Sequence, residues 1–218
     1  MSKKDIKIYV LMDVYNTDFY LAKRAIDSVL QQDFQDFELI VIDDGSQSDL
    51  SNLLLNYIKK HEQRIIYIRH ANCGQSQSIN RGVLNSRGEF ITMIDADDEY
   101  KPNHLSECLA KMQRFDLIAS TTETVVDDDA DYYVPDKRDQ SQMIHVDDCI
   151  LFATLFGKNE VFRNLKFDTM YAADTQFFEN AAQKYKVKKV DLRTYIYYRN
   201  IPNSICATIK KRQMAENN

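Results

Sequence analysis

The sequence predicts a single α/β domain in which helices cover both faces of a mostly parallel central sheet. Two observations support this fold class: short apolar runs alternate with segments of helical periodicity, and 218 residues suit one well-buried core. Such alternation implies right-handed crossovers between parallel strands. The four apolar runs that predict strands lie at residues 6–12, 37–42, 65–68 and 90–94.

Between these strands, three segments place apolar residues at helical spacing, so each predicts a helix with one buried face. This alternation of strands and helices along the chain is typical of a nucleotide-binding α/β domain. The predicted faces consist of Leu21, Ala25, Ile26, Val29 and Leu30 in the first helix, Leu50, Leu53, Leu54, Tyr57 and Ile58 in the second, and Ile79, Val83 and Leu84 in the third.

The second half of the chain is less regular. The polar stretch 127–142 contains many aspartates and few apolar residues, so we expect a mobile loop or hairpin tip, which is either a lid or a solvated connector. The other predicted elements are a helix with Leu105, Leu109 and Met112, strands at 117–119 and 124–126, helices at 147–156 and 174–185, and strands at 187–190 and 194–198.

Composition narrows the function classes. The formal net charge is −5, the pI is near 5.4 and there is no basic block, which argues against a nucleic-acid partner. No apolar run is long enough for a transmembrane helix, and the charged opening does not resemble a signal peptide, so we expect a cytoplasmic protein. The four cysteines and four histidines have no metal-type spacing, which predicts reduced thiols and no zinc site.

Acidic residues follow the fourth predicted strand at its carboxyl end. Asp95, Asp97, Asp98 and Glu99 come directly after the strand, and Asp95 and Asp97 would project to the same side of an extended chain. Open α/β sheets bind ligands at this edge, and clustered carboxylates favour Mg²⁺ or Mn²⁺ together with substrate phosphates. The alternative is a solvated acidic loop.

The second predicted strand also ends in acids, Asp43 and Asp44, followed by Gly45. Because two parallel strands place these carboxylates at one crevice, a single ligand could contact both acidic motifs, although Asp-Gly is also a common turn pair. The first strand leads into Asp13 and Tyr15 without a glycine-rich turn, which disfavours dinucleotide and phosphate-loop folds. Tyr15 could stack on a base or pack as a half-buried ring.

Segments 9–16, 26–32, 37–46, 72–82 and 88–98 together resemble the family 2 glycosyltransferases of the GT-A fold. The resemblance implies a nucleoside-diphosphate-sugar donor, a divalent Mn²⁺ or Mg²⁺ ion and inversion at the anomeric carbon. It also implies a donor-binding half at residues 1–101 and an acceptor-binding half at residues 102–218, within one domain.

The resemblance assigns roles to individual acids. It implies that Asp43 contacts the edge of the base, that Tyr15 lines the base and that Asp95 lies near the ribose. Asp97 is the implied ligand of the metal that bridges the two phosphates, and Asp98 is its alternative ligand. The remaining residues expected to contact the donor are Asp13, Asp44, Asn80 and Arg199.

Two further motifs resemble the family in the second half. Asp174 occupies the position of the general base that deprotonates the acceptor hydroxyl, with a helix cap as the alternative role. Arg199, in segment 198–204, is expected to contact the diphosphate or to brace the acidic rim. The sequence departs from the family at Asp13, where Pro or Thr is common, and at Ile79, where Arg is usual, whereas Asn80 fits.

These features predict transfer of a single sugar, with a UDP-sugar as the expected donor. The expected acceptor is a saccharide or lipid-linked saccharide in bacterial-type surface polysaccharide or glycoconjugate synthesis, at the inner face of the membrane or away from it. The sequence does not determine the oligomeric state, and a homodimer is one of the options. The alternative is a catalytically weak sugar-nucleotide-binding protein or a partner subunit of an active transferase, and a phosphatase is disfavoured because its acidic motif normally follows the first strand.

Overall fold

The computed structural model describes residues 6–136, 139, 141–168 and 172–201. The first half alternates strands and helices as the sequence predicts. Its elements are β1 (Ile8–Val14), α1 (Phe19–Leu30), β2 (Phe37–Asp43), α2 (Ser48–Ile58), β3 (Ile65–Arg69), α3 (Gln75–Asn85) and β4 (Phe90–Met93).

The second half contains shorter elements. Single 3₁₀ turns occur at Asp129–Tyr132, Val146–Asp148 and Phe152–Thr154, and another at Lys59–His61 follows α2. The remaining elements are β5 (Glu99–Tyr100), α4 (His104–Lys111), β6 (Leu117–Val125), β7 (Tyr133–Pro135), β8 (Met143–His145), β9 (Leu155–Lys158), α5 (Asn159–Asn164), α6 (Ala173–Ala182) and β10 (Val187–Tyr198).

Eight strands form one sheet in the order β3-β2-β1-β4-β9-β6-β10-β5. Strands β1, β2, β3 and β4 are parallel, and because β9 is antiparallel to both β4 and β6, strands β6 and β10 run in that same direction. Only β9 and β5 are reversed. Six carboxyl ends therefore lie at one edge of the sheet, which we call the carboxyl edge.

Two apolar layers cover the sheet, one on each face, as predicted. Because strand side chains alternate, Ile8, Val10 and Met12 of β1 enter one layer and Tyr9 and Leu11 enter the other. The first layer includes buried residues of α1, α2 and α4, and the second includes those of α3, α5 and α6. None of the helices in the described residues combines the length and the apolar character needed to span a bilayer.

Several element predictions are wrong in the second half. Segment 147–156 is not a helix: it contains two 3₁₀ turns and the start of β9, whose Leu155 and Phe156 are buried between β4 and β6. A short apolar run has no reliable periodicity, so tertiary pairing decides its structure. Strand β9 and helix α5 were not predicted, and the predicted strand pairs at 117–126 and 187–198 are the single strands β6 and β10.

Two predicted core residues are exposed: Leu53 of α2 and Leu84 of α3, at 51% and 66% of their surface. In its described residues the polar stretch 127–142 contains a 3₁₀ turn and strand β7, which pairs with β8 directly after the stretch, so the segment between them is a hairpin tip as predicted. Its mobility and its role as a lid stay predictions.

Candidate functional site

The carboxyl edge brings together the ends of β1, β2, β4 and β10, which are far apart in sequence. Asp13 lies near the end of β1, Asp43 and Asp44 at the end of β2, and Asp95 and Asp97 just after β4. The segment that follows β10 carries Arg199 to the same edge. The topology thus places almost all of the predicted site residues along the carboxyl edge, which is where open α/β sheets bind ligands.

A glutamine joins the acids of β1 and β4. Gln75 Nε2, at the start of α3, lies 3.0 Å from Asp95 Oδ1 and 3.3 Å from Asp13 Oδ1. Burial raises the pKa of Asp13 to about 6, against the Gln75 hydrogen bond, and nearby Asp44 and Asp97 raise it further. Burial, followed by the charges of Asp98, Asp13 and Asp97, holds the pKa of Asp95 well above its usual range.

Asp97 differs from its neighbours because, within the described chain, no other residue donates a hydrogen bond to its half-buried carboxylate. Its backbone oxygen accepts a hydrogen bond from Arg24 Nη2 at 2.5 Å, which fixes the main chain of the loop. Burial raises the pKa of Asp97, against the opposing charge of Arg24. An oxygen ligand in an acidic crevice, without a protein donor in the described residues, fits a hard divalent cation.

Asp98 is turned into the protein. Its side chain is 1% exposed, Tyr195 Oη donates to its Oδ2 at 2.7 Å, and Tyr198 N donates to its Oδ1 at 2.8 Å. Tyr195 Oη also accepts the Asp95 N–H at 3.1 Å. Burial and the charge of Asp97 raise the pKa of Asp98 to about 8. Because both oxygens serve to attach the acidic loop to β10, this placement does not support Asp98 as the alternative metal ligand.

Asp43 is also enclosed by its own chain. Its carboxylate is fully buried and accepts hydrogen bonds from Ser46 N at 2.8 Å, Ser51 Oγ at 2.6 Å and Tyr67 Oη at 2.5 Å. Burial opposes ionisation, but these donors hold the pKa of Asp43 below its usual range. Its position does not support the expected contact with the edge of a base and indicates that Asp43 organises the turn after β2.

Asp44 organises the loop before α3. Its carboxylate accepts hydrogen bonds from Cys73 N at 2.7 Å, Gly74 N at 2.8 Å and Asn72 Nδ2 at 3.0 Å. Gly45 is required beside it, because its φ is +78° and a Cβ would lie 2.7 Å from the Asn72 nitrogen. Asp44 therefore attaches the loop before α3 to the end of β2 at the carboxyl edge.

Tyr15 and Asn80 differ in their availability to a ligand. The Tyr15 ring is 52% exposed after β1, so it is free to contact a base or sugar. Asn80 Nδ2 donates to the Phe167 carbonyl at 2.9 Å, and Asn80 Oδ1 accepts the Phe167 N–H at 3.0 Å. Because both of its polar groups bind the backbone of a neighbouring segment, the structure gives Asn80 a packing role and does not support a donor contact.

Asp174 lies in the first turn of α6, beside the carboxyl edge. The cap position is Ala172, with a φ of +57°, so Asp174 is not the N-cap, although its Oδ1 accepts the Thr175 N–H at 2.6 Å. Burial raises its pKa, against hydrogen bonds from the backbone of Thr175 and Phe152. Phe152 belongs to the turn just before β9, and β9 begins beside the end of β4 because the two strands are antiparallel. This connection places Asp174 near the end of β4, from which Asp95 and Asp97 follow.

The guanidinium of Arg199 is partly closed to solvent. Its backbone N–H donates to Val125 O at 2.9 Å, but Nε and Nη1 are closed to solvent and have no hydrogen-bond partner among the described residues. No described carboxylate forms an ion pair with it, so bracing of the acidic rim finds no support in this part of the chain. The half-buried guanidinium lies 5.8 Å from the centroid of the Tyr197 ring, and its two enclosed nitrogens without hydrogen-bond partners favour binding of an anionic ligand here.

Three residues of the site were not identified from the sequence: Gln75, Tyr195 and Arg24. Gln75 and Arg24 reach the acidic loop across 20 and 73 residues, and Tyr195 reaches Asp98 across 97. No spacing rule connects residues so far apart, although the position of Gln75 at the start of a helix facing the carboxyl edge is a usable signal.

Comparisons with known proteins agree with the fold. The sequence model described as glycosyl transferase family 2 matches residues 9–182. The succinoglycan biosynthesis protein ExoW of Rhizobium meliloti is 32% identical over 112 residues, which are 50% of this chain and 35% of that protein. The chain spans less than half the length of the sequence relatives it matches.

Two solved structures share the architecture. S. aureus TarS 1–349 in complex with UDP has a TM-score of 0.70 at 18% identity, covering 88% of this chain and 60% of that chain. The mannosyltransferase PcManGT from Pyrobaculum calidifontis, in complex with GDP-Man and Mn²⁺, has a TM-score of 0.72 at 14% identity, covering 97% and 61%. The family match over most of the length and the common fold lead to one conclusion: the chain belongs to glycosyl transferase family 2.

Proposed function

We propose that this protein is a metal-dependent, inverting glycosyltransferase that moves one sugar from a nucleoside-diphosphate sugar to an acceptor hydroxyl. The observation that carries the proposal is the uncompensated acidic crevice at the carboxyl edge. Asp13, Asp95 and Asp97 all have raised pKa values, and no other described residue donates a hydrogen bond to the Asp97 carboxylate. Mn²⁺ or Mg²⁺ with a diphosphate would supply the missing positive charge.

Each residue of the proposed site would make a different contact with the donor or the metal ion. Asp97 would hold the divalent ion, which neutralises negative charge on the departing diphosphate when it is bound. Gln75 keeps the carboxylates of Asp95 and Asp13 in place on the other side of the crevice. Arg199 would bind a phosphate oxygen through its guanidinium, which requires a rearrangement that uncovers Nε and Nη1, and Tyr15 would cover the base or ribose with its exposed ring.

Asp174 is the proposed general base. Its carboxylate would accept the proton of the acceptor hydroxyl as that oxygen attacks the anomeric carbon from the face opposite the diphosphate, which gives inversion. Burial raises its pKa, and a higher pKa makes the carboxylate a better proton acceptor as long as it is ionised at the working pH. The left-handed Ala172 fixes the start of α6 and thereby the position of Asp174.

The substrates follow from chemistry and from relatives. UDP is bound in the TarS structure and GDP-Man in PcManGT, and we propose a UDP-sugar as the donor. For the acceptor we propose a saccharide or lipid-linked saccharide of a bacterial surface polysaccharide, because the similar ExoW is named for succinoglycan biosynthesis. Residues 102–218 would form the acceptor side, with the hairpin β7–β8 as its cover.

Donor hydrolysis without acceptor tests the proposal. With Mn²⁺ and a panel of nucleotide sugars, we expect slow release of the nucleoside diphosphate that Asp97→Ala abolishes. Glu62→Gln, an exposed change before β3 at the opposite edge of the sheet, is the matched control and should leave the rate unchanged. Tight nucleotide binding without any turnover would favour the alternative, a sugar-nucleotide-binding protein or partner subunit.

That alternative draws on one structural observation. Ile79, which stands where the resemblance places an arginine, is fully buried in the apolar layer under α3. It provides no charge for the donor, so Arg199 would have to bind the diphosphate without a second guanidinium from this position. If Arg199→Ala folds like the wild type but loses donor hydrolysis completely, the protein is a transferase that binds the diphosphate through Arg199 without a second arginine.

A further inference from the structure

We propose that Asp44, His70 and Cys73 form a zinc site at the end of β2, separate from the Asp97 site. A carboxylate oxygen, an imidazole nitrogen and a thiol sulfur from these three residues all lie within 4.8 Å of one another. The sequence gives no metal-type spacing for them, because Asp44 is distant in sequence and the fold alone brings it to the loop. A mixed set of oxygen, nitrogen and sulfur suits Zn²⁺ rather than Mg²⁺ or Mn²⁺.

The distances between the donor atoms match a tetrahedral site. With zinc bonds of about 2.0 Å to oxygen and nitrogen and about 2.3 Å to sulfur, tetrahedral angles place nitrogen about 3.3 Å from oxygen and about 3.5 Å from sulfur. In the structure His70 Nδ1 lies 3.3 Å from Asp44 Oδ1 and 3.5 Å from Cys73 Sγ. Both distances fit coordination of one ion, and the third pair, the Asp44 oxygen and the Cys73 sulfur, lies within 4.8 Å.

Neighbouring groups hold the donors in place. His70 Nε2 lies 3.3 Å from Ser78 Oγ, so an Nε2–H donor would leave Nδ1 unprotonated and facing the other two residues. Gly74 N and Asn72 Nδ2 orient the Asp44 carboxylate through its Oδ2 at 2.8 and 3.0 Å. Cys73 N donates to Asp44 Oδ1 at 2.7 Å, so Oδ1 keeps one lone pair for the ion and, unlike Asp98, faces two further metal-binding side chains. Cys73 is exposed, which leaves a fourth position for water or another ligand.

A loop held by hydrogen bonds alone is the competing explanation. His70 Nδ1 also lies 2.8 Å from the Ala71 carbonyl oxygen, and an Nδ1–H donor there would stabilise the loop without a metal. The two explanations differ in whether a thiolate–metal bond forms. They also differ in the effect of zinc, since only a bound ion would add a link between the three side chains to the hydrogen bonds that already join Asp44 to the loop before α3.

Cobalt provides a direct probe, because a tetrahedral Co²⁺–thiolate site has a charge-transfer band and intense visible bands. We expect titration of the full chain with Co²⁺ to produce both bands at one equivalent, and added Zn²⁺ to remove them. Cys73→Ala and His70→Gln should each abolish the charge-transfer band or weaken Co²⁺ binding at least tenfold. Circular dichroism of each variant would establish that it is folded.

Two control variants separate this site from other positions. Cys149→Ala removes a half-buried thiol far along the chain and should keep the band, and Asp97→Asn should keep it as well because Asp97 offers only oxygen. Zn²⁺ should also raise the melting temperature of the wild type but not of Cys73→Ala. Absence of a charge-transfer band, or a band unchanged in folded Cys73→Ala, would overturn the zinc site while leaving the proposed transferase activity untouched.

Discussion

Replacement of Tyr195 by Phe removes one hydroxyl that links β10 to the acidic loop. The ring is 1% exposed and packs edge-on against Tyr100 at 5.7 Å between centroids, and Phe keeps this packing. The change deletes a hydrogen bond to the Asp98 carboxylate at 2.7 Å and leaves the Asp95 N–H without its acceptor. Only the polar contacts are lost, so their energy can be measured.

The magnitude follows from these two contacts. The raised pKa of Asp98, about 8, keeps its carboxyl largely protonated at neutral pH, so the hydrogen bond from Tyr195 contributes about 0.5–1.5 kcal/mol, and a buried unpaired N–H costs about 1–3 kcal/mol. Because Asp95 is half-buried and water can partly replace the hydroxyl, we expect the free energy of unfolding to fall by about 1–4 kcal/mol. Affinity for Mn²⁺ should fall too, since Asp95 and Asp97 lose their attachment to β10.

Urea unfolding and Mn²⁺ titration provide the assay, with Tyr185→Phe as the matched control. The Tyr185 hydroxyl accepts one hydrogen bond from Asn164 at an exposed position, and its loss should cost less than about 1 kcal/mol. If Tyr195→Phe unfolds with the wild-type midpoint and slope and binds Mn²⁺ equally well, Tyr195 does not position the acidic loop.

Three further predictions concern the same site. The pKa values of Asp13 and Asp98, about 6 and about 8, lie above the ordinary 3.8, so the folded state retains protons that the unfolded chain releases. The free energy of unfolding of the metal-free protein should therefore fall as the pH rises from about 4 to 8. Urea unfolding at several pH values measures this fall, and saturating Mn²⁺ should reduce it. A flat metal-free profile would contradict it. Asn80→Ala should lower the free energy of unfolding by about 1–3 kcal/mol through two lost hydrogen bonds to Phe167, with the donor KM nearly unchanged, whereas a large rise in KM at wild-type stability would restore Asn80 to the donor site. Asp174→Asn should retain donor binding by calorimetry while the transfer rate falls by about 10²–10⁴-fold, and near-normal transfer would place the base elsewhere.

The sequence predicted the first half of the fold well because its signals are local. Continuous apolar runs at β1, β2 and β4 are long enough to identify buried parallel strands, and the acids that follow them mark the carboxyl edge. The second half lacks such signals. Strand β9 has four residues, and its burial between β4 and β6 depends on pairings that no local pattern reveals.

Individual roles in the site were harder to predict than its location. Asp43 and Asp98 have the residue type and position of ligand-binding acids, yet Tyr67 and Tyr195 use their oxygens within the protein. Asn80 is likewise occupied by a backbone segment 87 residues away. Such partners depend on tertiary structure, so a polar residue at the right edge predicts the site but not which of its atoms are free.

Calorimetric titration of UDP with and without Mn²⁺, in the wild type and in Asp97→Asn, tests most directly whether Asp97 binds the ion that holds the diphosphate. We expect Mn²⁺ to tighten UDP binding at least about tenfold in the wild type, or about 1.4 kcal/mol, and to have no such effect in the folded variant. An equal gain from Mn²⁺ in both proteins would contradict the assignment of the metal to Asp97.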